Sequence, residues 1–261
     1  MSAYPISGEK LESLQILFKD WNETLIYSCL QGYMGTAWAD STNNPKSAQI
    51  VVADFCFFAG EPDEILVKNK PKEHNSDFVI MVPQDEQWAK MIEKIYGENA
   101  HRVTRYAIKK EPDIFDVKKL KAIVNSLNSE YEIRLIDKEI FAAARKNSWS
   151  ADLCSQFGSF EEYAQKGVGV AVLYKGELVS GASSYTVYGG GIEIEIDTRE
   201  DYRRKGLAIA CGAQLIIECI SRNIYPSWDA QNKASVALAL KLGYHFDKEY
   251  IAYEVSGYGR E

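Results

Sequence analysis

The sequence predicts an α/β (α+β) protein, with a mixed central sheet flanked by helices in the C-terminal half and a smaller mixed α/β domain before it. From residue 131 onward, strand-like runs alternate with apolar helical runs. Earlier, the β-branched and aromatic run 48–60 precedes the amphipathic run 84–98. A polar stretch at 128–131 predicts a boundary between two domains, 1–128 and 129–261.

Composition limits the possible classes of protein. The chain has 261 residues, of which 46% are hydrophobic and 26% charged, as in globular proteins. A net charge of -7 argues against nucleic acid or anionic membrane as a partner. Five cysteines without CxxC spacing predict buried, reduced thiols. None of the three histidines pairs with a nearby cysteine, so we expect no metal site. We expect a cytoplasmic protein, since neither a secretory leader nor an apolar run of about 20 residues is apparent.

Elements of the first domain follow from local pattern. Apolar residues at helical spacing predict helices, and β-branched or aromatic runs predict strands. The expected order is helix 8–30, strand 48–60, a turn-rich connection 61–77, strand 77–83, helix 84–98, strand 101–110 and helix 113–127. This half contains no catalytic motif, and no internal repeat is apparent.

The second domain has a clearer pattern. The expected order is strand 131–136, helices 137–147 and 157–167, several strands within 168–198, helix 206–223, one short strand 225–230, helix 232–243 and strand 244–255. Asn232 is a suitable N-cap, and Gly243 stands where a left-handed C-terminal cap belongs.

The stretch "EDYRRKGLAIACGAQLI" (200–216) carries the strongest chemical signal. A helix N-terminus exposes backbone N–H groups and the positive end of the helix dipole. Gly206 lets an anion approach the backbone, Ala208 is small, and the preceding cations Arg203, Arg204 and Lys205 attract phosphate. The pattern therefore predicts a pyrophosphate cradle, although a solvated basic turn with a packing glycine stays open. Neither GxxxxGK[ST] nor a GxGxxG after a strand is present.

These residues resemble motif A of the Gcn5-related N-acetyltransferases (GNAT), Gln/Arg-x-x-Gly-x-Gly/Ala, with Arg203, Gly206 and Ala208 in its three places. The strand "YPSWDA" and the helix "NKASVALALKLGY" resemble motif B, in the expected order. The wording "W-D-A-x-N-x-x-S…A-x-K-L-G-Y" is similar to the subgroup that includes zwittermicin A resistance proteins. The resemblance covers about residues 131–261.

The resemblance implies acetyl-CoA as acetyl donor, with no metal. Its pyrophosphate would be held by the backbone N–H groups from Arg204 to Ala208, which include Lys205, Gly206 and Leu207, beside Arg203. Ile196, Asp197 and Thr198 would pair with the pantetheine arm, provided that their strand splays from "YPSWDA". Asn232 and Ser235 would face the cofactor, with helix capping and a first-turn hydrogen bond as their alternative roles.

Direct acetyl transfer needs a base for the amine proton. Side chains alternate along a strand, so "GIEIEID" places Glu193, Glu195 and Asp197 on one face. We take Glu195 as the first candidate base and Glu193 as the second; the alternative is a solvated outer face. Many family members carry an acid tyrosine in the motif B helix, where this chain has Ala239.

We therefore expect an N-acetyltransferase that moves an acetyl group from acetyl-CoA to an amine by direct transfer. The alternative is an acyl-CoA-binding sensor without turnover. The acceptor would be a small-molecule or peptide amine, and the acidic net charge favours a cationic one. Family habit suggests a homodimer.

Overall fold

The computed structural model describes residues 2–259, and their contacts divide into two compact units. The first unit comprises residues up to Arg105 together with those from Glu249 onward, and the second is Tyr106–Lys248. A mixed sheet with flanking helices in each unit confirms the predicted fold class.

The first unit is built on strands that pair in the order β1-β2-β3-β4-β5-β13. Successive pairs are antiparallel, except that β4 and β5 run parallel. Its elements are β1 (Tyr4–Ile6), a 3-10 helix (Gly8–Leu14), α1 (Thr24–Leu30), β2 (Thr36–Ala39), β3 (Ser47–Val52), β4 (Phe55–Gly60), α2 (Glu64–Lys68), β5 (Phe78–Pro83), α3 (Glu86–Tyr96), a 3-10 turn (Gly97–Asn99), the first part of β6 (Ala100–Ile108) and the latter part of β13 (Phe246–Ser256).

The second unit contains a sheet with the strand order β11-β10-β9-β8-β7. All its pairs are antiparallel except β10 with β11. Its elements are the end of β6, α4 (Val117–Asn125), β7 (Tyr131–Leu135), α5 (Lys138–Ala144), a 3-10 helix (Ala151–Leu153), α6 (Phe160–Lys166), β8 (Gly169–Tyr174), β9 (Glu177–Tyr188), β10 (Gly191–Thr198), a 3-10 turn (Glu200–Tyr202), α7 (Leu207–Ser221), β11 (Tyr225–Ser227), β12 (Asp229–Ala230), α8 (Lys233–Leu242) and the start of β13.

These units divide the chain differently from the boundary predicted at 128/129. Helix α4 packs against α7 and so joins the second unit. Strand β13 pairs with β5 through Tyr253 and Met81, which returns the end of the chain to the first unit. Sequence pattern identifies a strand or a helix face but not the distant partner that it finds, and the two units differ from the prediction for that reason.

Four predicted elements differ in the structure. The strand expected over 48–60 is two antiparallel strands, β3 and β4, because the chain turns at Ala53, which has a φ of 54°. The connection expected over 61–77 contains helix α2. The expected helix over 8–30 is wrong in its middle, because a 3-10 helix ends at Leu14 and α1 begins only at Thr24. Asp20, between them, has a φ of 65°, which no helix accommodates. The short strand expected at 225–230 is in fact two strands, β11 and β12.

The cysteine prediction is confirmed, since all five thiols are buried and free. Within residues 2–259, no helix has the length and apolar character required to span a bilayer.

Candidate functional site

Strand β10 loses one of its two neighbours halfway along its length. It pairs with β9 at every position from Gly191 to Thr198, but with β11 only from Gly191 to Glu193. After Ser227, the partner of Glu193, the chain leaves β10, and β12 pairs instead with Tyr106 and Ala107 of β6. The expected splay between β10 and "YPSWDA" is therefore present, and it opens a V whose apex lies at Glu193.

A register shift marks the apex. The pairing of β9 and β10 shifts between Glu193 and Ile194, and such irregularities bend a strand and increase its twist. The partner changes from Thr186 to Ser184, so the extra residue, Tyr185, belongs to β9, and the irregularity falls where β11 leaves the other edge of β10. On the side facing away from β9, the backbone from Ile196 to Thr198 lies along the open arm of the V.

Helix α7 follows this arm after the 3-10 turn and a short loop, and its N-terminus has no side-chain cap. Its N-cap is Gly206, with a left-handed φ of 80°, and the other seven α-helices within the described residues each have a capping side chain. The first N–H groups of a helix have no intrahelical partner. The amides of Leu207, Ala208 and Ile209 are thus directed to the outside of the helix end, where the helix dipole is positive.

Three cations surround that helix end. Arg203, Arg204 and Lys205 are exposed, and among the described residues no carboxylate forms an ion pair with them. Arg203 Nε donates to Thr198 O at 3.3 Å, and Lys205 Nζ lies 4.5 Å from the centre of the Tyr202 ring. The three side chains are therefore available to bind an anion.

The backbone of this loop is itself unusual. Arg204 has a φ of 62°, a left-handed conformation that costs a non-glycine residue about 1–2 kcal/mol. Two residues later Gly206 is left-handed as well. Left-handed residues between other conformations turn successive N–H groups toward one concave side, which is the geometry of an anion nest.

Side chains of β10 alternate between two faces of the strand, and a different helix lies against each face. Ile196 faces α7, because a Cβ built on Gly212 of that helix would lie 3.2 Å from Ile196 Cδ1. The opposite face carries the three acids. Glu195 pairs with Ser183, whose hydroxyl bonds Tyr163 of α6 at 2.7 Å. Helix α6 therefore partly covers the face that sequence alone would leave solvated.

Burial falls along the acidic face from the apex outward. Glu193 is only 4% exposed, whereas Glu195 and Asp197 are half-buried. Burial, with a smaller contribution from the nearby Asp152, raises the pKa of Asp197 to about 6, although Arg203 lowers it. The acidic face is thus neither a solvated surface nor a fully buried core.

The raised pKa of Asp197 predicts a pH effect on stability. The folded protein holds this proton more tightly than the unfolded chain, whose pKa lies near 3.8. The free energy of unfolding therefore decreases as the pH rises from about 4 to about 6. Since solvent screens part of this effect, Asp197→Asn should raise stability at pH 7 by on the order of 1 kcal/mol, and by almost nothing at pH 4. Urea unfolding at both pH values measures the difference; an equal gain at both would contradict it.

Asn232 and Ser235 occupy the first turn of α8. Asn232 Oδ1 accepts from Ser235 N at 3.0 Å, and Gly243 ends the helix with a φ of 108°, so both predicted caps are confirmed. Ser235 Oγ accepts from Trp228 Nε1 at 3.0 Å. An indole N–H can only donate, so the hydroxyl proton of Ser235 is directed elsewhere. These are the capping and first-turn roles, and contact with a cofactor stays a prediction.

The position of the missing tyrosine is a buried packing site. Ala239 is fully buried in α8. The neighbouring Tyr244 donates its hydroxyl to Pro226 O at 2.6 Å, and burial raises its pKa well above the ordinary value. A phenol committed in this way is unsuited to protonating a leaving group, so Tyr244 does not replace the absent tyrosine.

A hydroxyl pair at the apex was missed in the sequence. Tyr188 Oη lies 2.8 Å from Ser227 Oγ, across Gly191. A Cβ on Gly191 would overlap the Tyr188 hydroxyl, which explains why glycine stands there. The signal was the run "GGG" at 189–191, which fits no dinucleotide motif but does allow this close approach.

Comparisons with known proteins identify the family of the chain. The family model for GNAT acetyltransferases matches residues 15–253. The chain is 29% identical, over 95% of its length and 97% of the other protein, to the "Uncharacterized N-acetyltransferase YdfB" of Bacillus subtilis (strain 168). It is 43% identical to a solved GCN5-related N-acetyltransferase-like protein from Streptococcus suis 89/1591, with a TM-score of 0.89 and coverage of 95% and 98% of the two chains.

A more distant structure shares the fold. A tandem GNAT protein from the clavulanic acid biosynthesis pathway superposes with a TM-score of 0.56 over 98% of both chains, at 9% identity. At that identity the likeness concerns the fold alone. Because the family match extends across both units of the chain, we conclude that this protein belongs to the GNAT acetyltransferase family.

Proposed function

We propose that this protein transfers an acetyl group from acetyl-CoA, the acetyl donor of its family, to an amine. The observation that carries the proposal is the joining of two features in one crossover: β10 opens into a V after Glu193, and α7 begins uncapped beside three cations. Each feature alone has a structural explanation. Together they match two parts of CoA: the open edge of β10 suits the pantetheine arm, and the start of α7 suits the pyrophosphate.

The residues fit the pyrophosphate. The backbone N–H groups from Arg204 to Ala208, including those of Lys205, Gly206 and Leu207, would bind it beside the Arg203 side chain. Gly206 leaves the approach open, since a Cβ there would meet no atom within 4 Å. The backbone of Ile196, Asp197 and Thr198 would pair with the pantetheine amides, as an added strand does at a sheet edge. Asn232 and Ser235 would border the same arm.

The reactive end would then lie toward the apex. When bound, acetyl-CoA supplies an activated acetyl group whose C–S bond breaks as the C–N bond to the amine forms. Glu195, half-buried and just beyond the departure of β11, would accept the amine proton directly or through a water. Glu193 lies at the apex itself, which favours it as the base. It is the second candidate because it is only 4% exposed.

The acceptor follows from the acids around the open arm. Glu195, Asp197 and Asp152 give this face negative charge, which favours a cationic small-molecule or peptide amine. Membership of the zwittermicin A resistance subgroup and assembly as a homodimer stay predictions.

The direct experiment measures CoA thiol release from acetyl-CoA in the presence of a panel of amines, from monoamines to polyamines and peptides with free amino termini. We expect release that depends on an amine and is fastest with cationic acceptors. CoA binding without release for any amine would instead indicate a sensor and contradict the proposal.

A further inference from the structure

Both units of the chain contain the same succession of elements. In the first unit, β1 to β4 are joined by antiparallel pairs and β5 then pairs parallel to β4. In the second, β7 to β10 are antiparallel and β11 then pairs parallel to β10. Helix α2 forms the first parallel crossover and α7 the second, and α3 and α8 follow them. The sequence shows no repeat, so this correspondence exists only in the topology.

In the first crossover, however, the edge of β4 that faces β5 is not open. Strand β4 pairs with β5 from Phe55 to Phe58. Beyond that point Gln84 continues the contact: its N–H donates to Phe58 O at 3.1 Å and its Oε1 accepts from Gly60 N at 2.9 Å. Trp88 Nε1 donates to Gly60 O at 2.9 Å. The edge that stands open in β10 is filled in β4 by side chains of its own unit.

The helix end of the first crossover is filled as well. Helix α2 has five residues, and Asp63 caps it by accepting from Ile65 N at 2.7 Å. Where the second crossover carries three cations, the first carries the acids Glu61, Asp63 and Glu64. A phosphate there would meet negative charge and an amide, that of Ile65, which Asp63 already occupies.

We infer that the chain binds one CoA, in the second unit, and that the first unit is a closed counterpart of the same topology which binds none. This inference rests on the proposed function for the site itself. It adds to that proposal that each chain has one CoA site. It also implies that the first unit has a role other than binding a second acetyl-CoA.

The test is a calorimetric titration of the full chain with CoA, in three forms of the protein. The wild type should bind one equivalent. Lys205→Glu reverses a charge beside the α7 amides and should weaken that binding about 10-fold or more. The matched reversal in the first crossover, Glu61→Lys, changes a side chain that is 73% exposed and should leave both stoichiometry and affinity unchanged. Thermal melts check that both variants are folded.

The possible results separate the two claims. Two equivalents, with one of them lost in Lys205→Glu, would overturn the inference while leaving the proposed site intact. A single equivalent that responds to Glu61→Lys and not to Lys205→Glu would place the donor in the first unit and overturn both. Absence of any binding to the folded wild type would also contradict both.

Discussion

Glu195→Gln is expected to lower kcat for acetyl transfer about 100- to 1000-fold, because a positioned general base contributes 10²- to 10⁴-fold to such a step. Glutamine keeps the size of the side chain but cannot accept the amine proton. CoA affinity should stay unchanged, since the binding contacts lie on the backbone of β10 and at the start of α7. Steady-state rates and CoA titrations on the same preparation measure both quantities.

The pH dependence of the variant provides a second readout. Without a base, only acceptor that is already deprotonated reacts, so the rate of Glu195→Gln should keep rising with pH toward the pKa of the acceptor amine. Glu193→Gln is the matched comparison, two residues away on the same face. A large loss of kcat in Glu193→Gln, with near-normal rates in Glu195→Gln, would contradict our assignment and identify the apex carboxylate as the base.

Local pattern was sufficient for most of the elements that build the second unit. The alternation of Ile and Glu in 191–198 predicts the two faces of β10, and the apolar run after Gly206 predicts α7. The caps at Asn232 and Gly243 follow from side-chain chemistry and backbone freedom. These are short-range properties, so one sequence contains them.

The shape of the opening could not be read in the same way. "YPSWDA" is continuous in pattern, yet Tyr225–Ser227 pairs with β10 whereas Asp229 and Ala230 pair with β6. Tyr225 pairs 34 positions back along the chain and Asp229 pairs 122 positions back, and no local periodicity encodes either choice. The same limit hid the shared topology of the two units.

The largest effect on binding is expected at Gly206. Its φ of 80° costs any other residue about 1–2 kcal/mol, but a Cβ there would touch nothing within 4 Å in the free protein. Gly206→Leu should therefore fold with modest loss of stability. With a phosphate on the α7 amides, the same side chain would stand where the anion must approach the backbone. We expect CoA affinity to fall at least about 100-fold, or about 2.7 kcal/mol.

Gly176 provides a matched control. It lies in the turn between β8 and β9, has a φ of 84°, and a Cβ there would also meet nothing within 4 Å. Gly176→Leu thus imposes a similar backbone strain in a similarly open space, away from α7. The comparison separates strain from loss of the anion site.

The most direct measurement is a CoA titration of these two variants beside the wild type, with melting temperatures recorded for all three. Seating of the diphosphate at the start of α7 predicts similar melting temperatures for the two variants, CoA affinity within about 2-fold of wild type for Gly176→Leu, and its near-complete loss in Gly206→Leu. Undiminished affinity in a folded Gly206→Leu protein would contradict the seating of the diphosphate there, and the acetyl-transfer mechanism built on it.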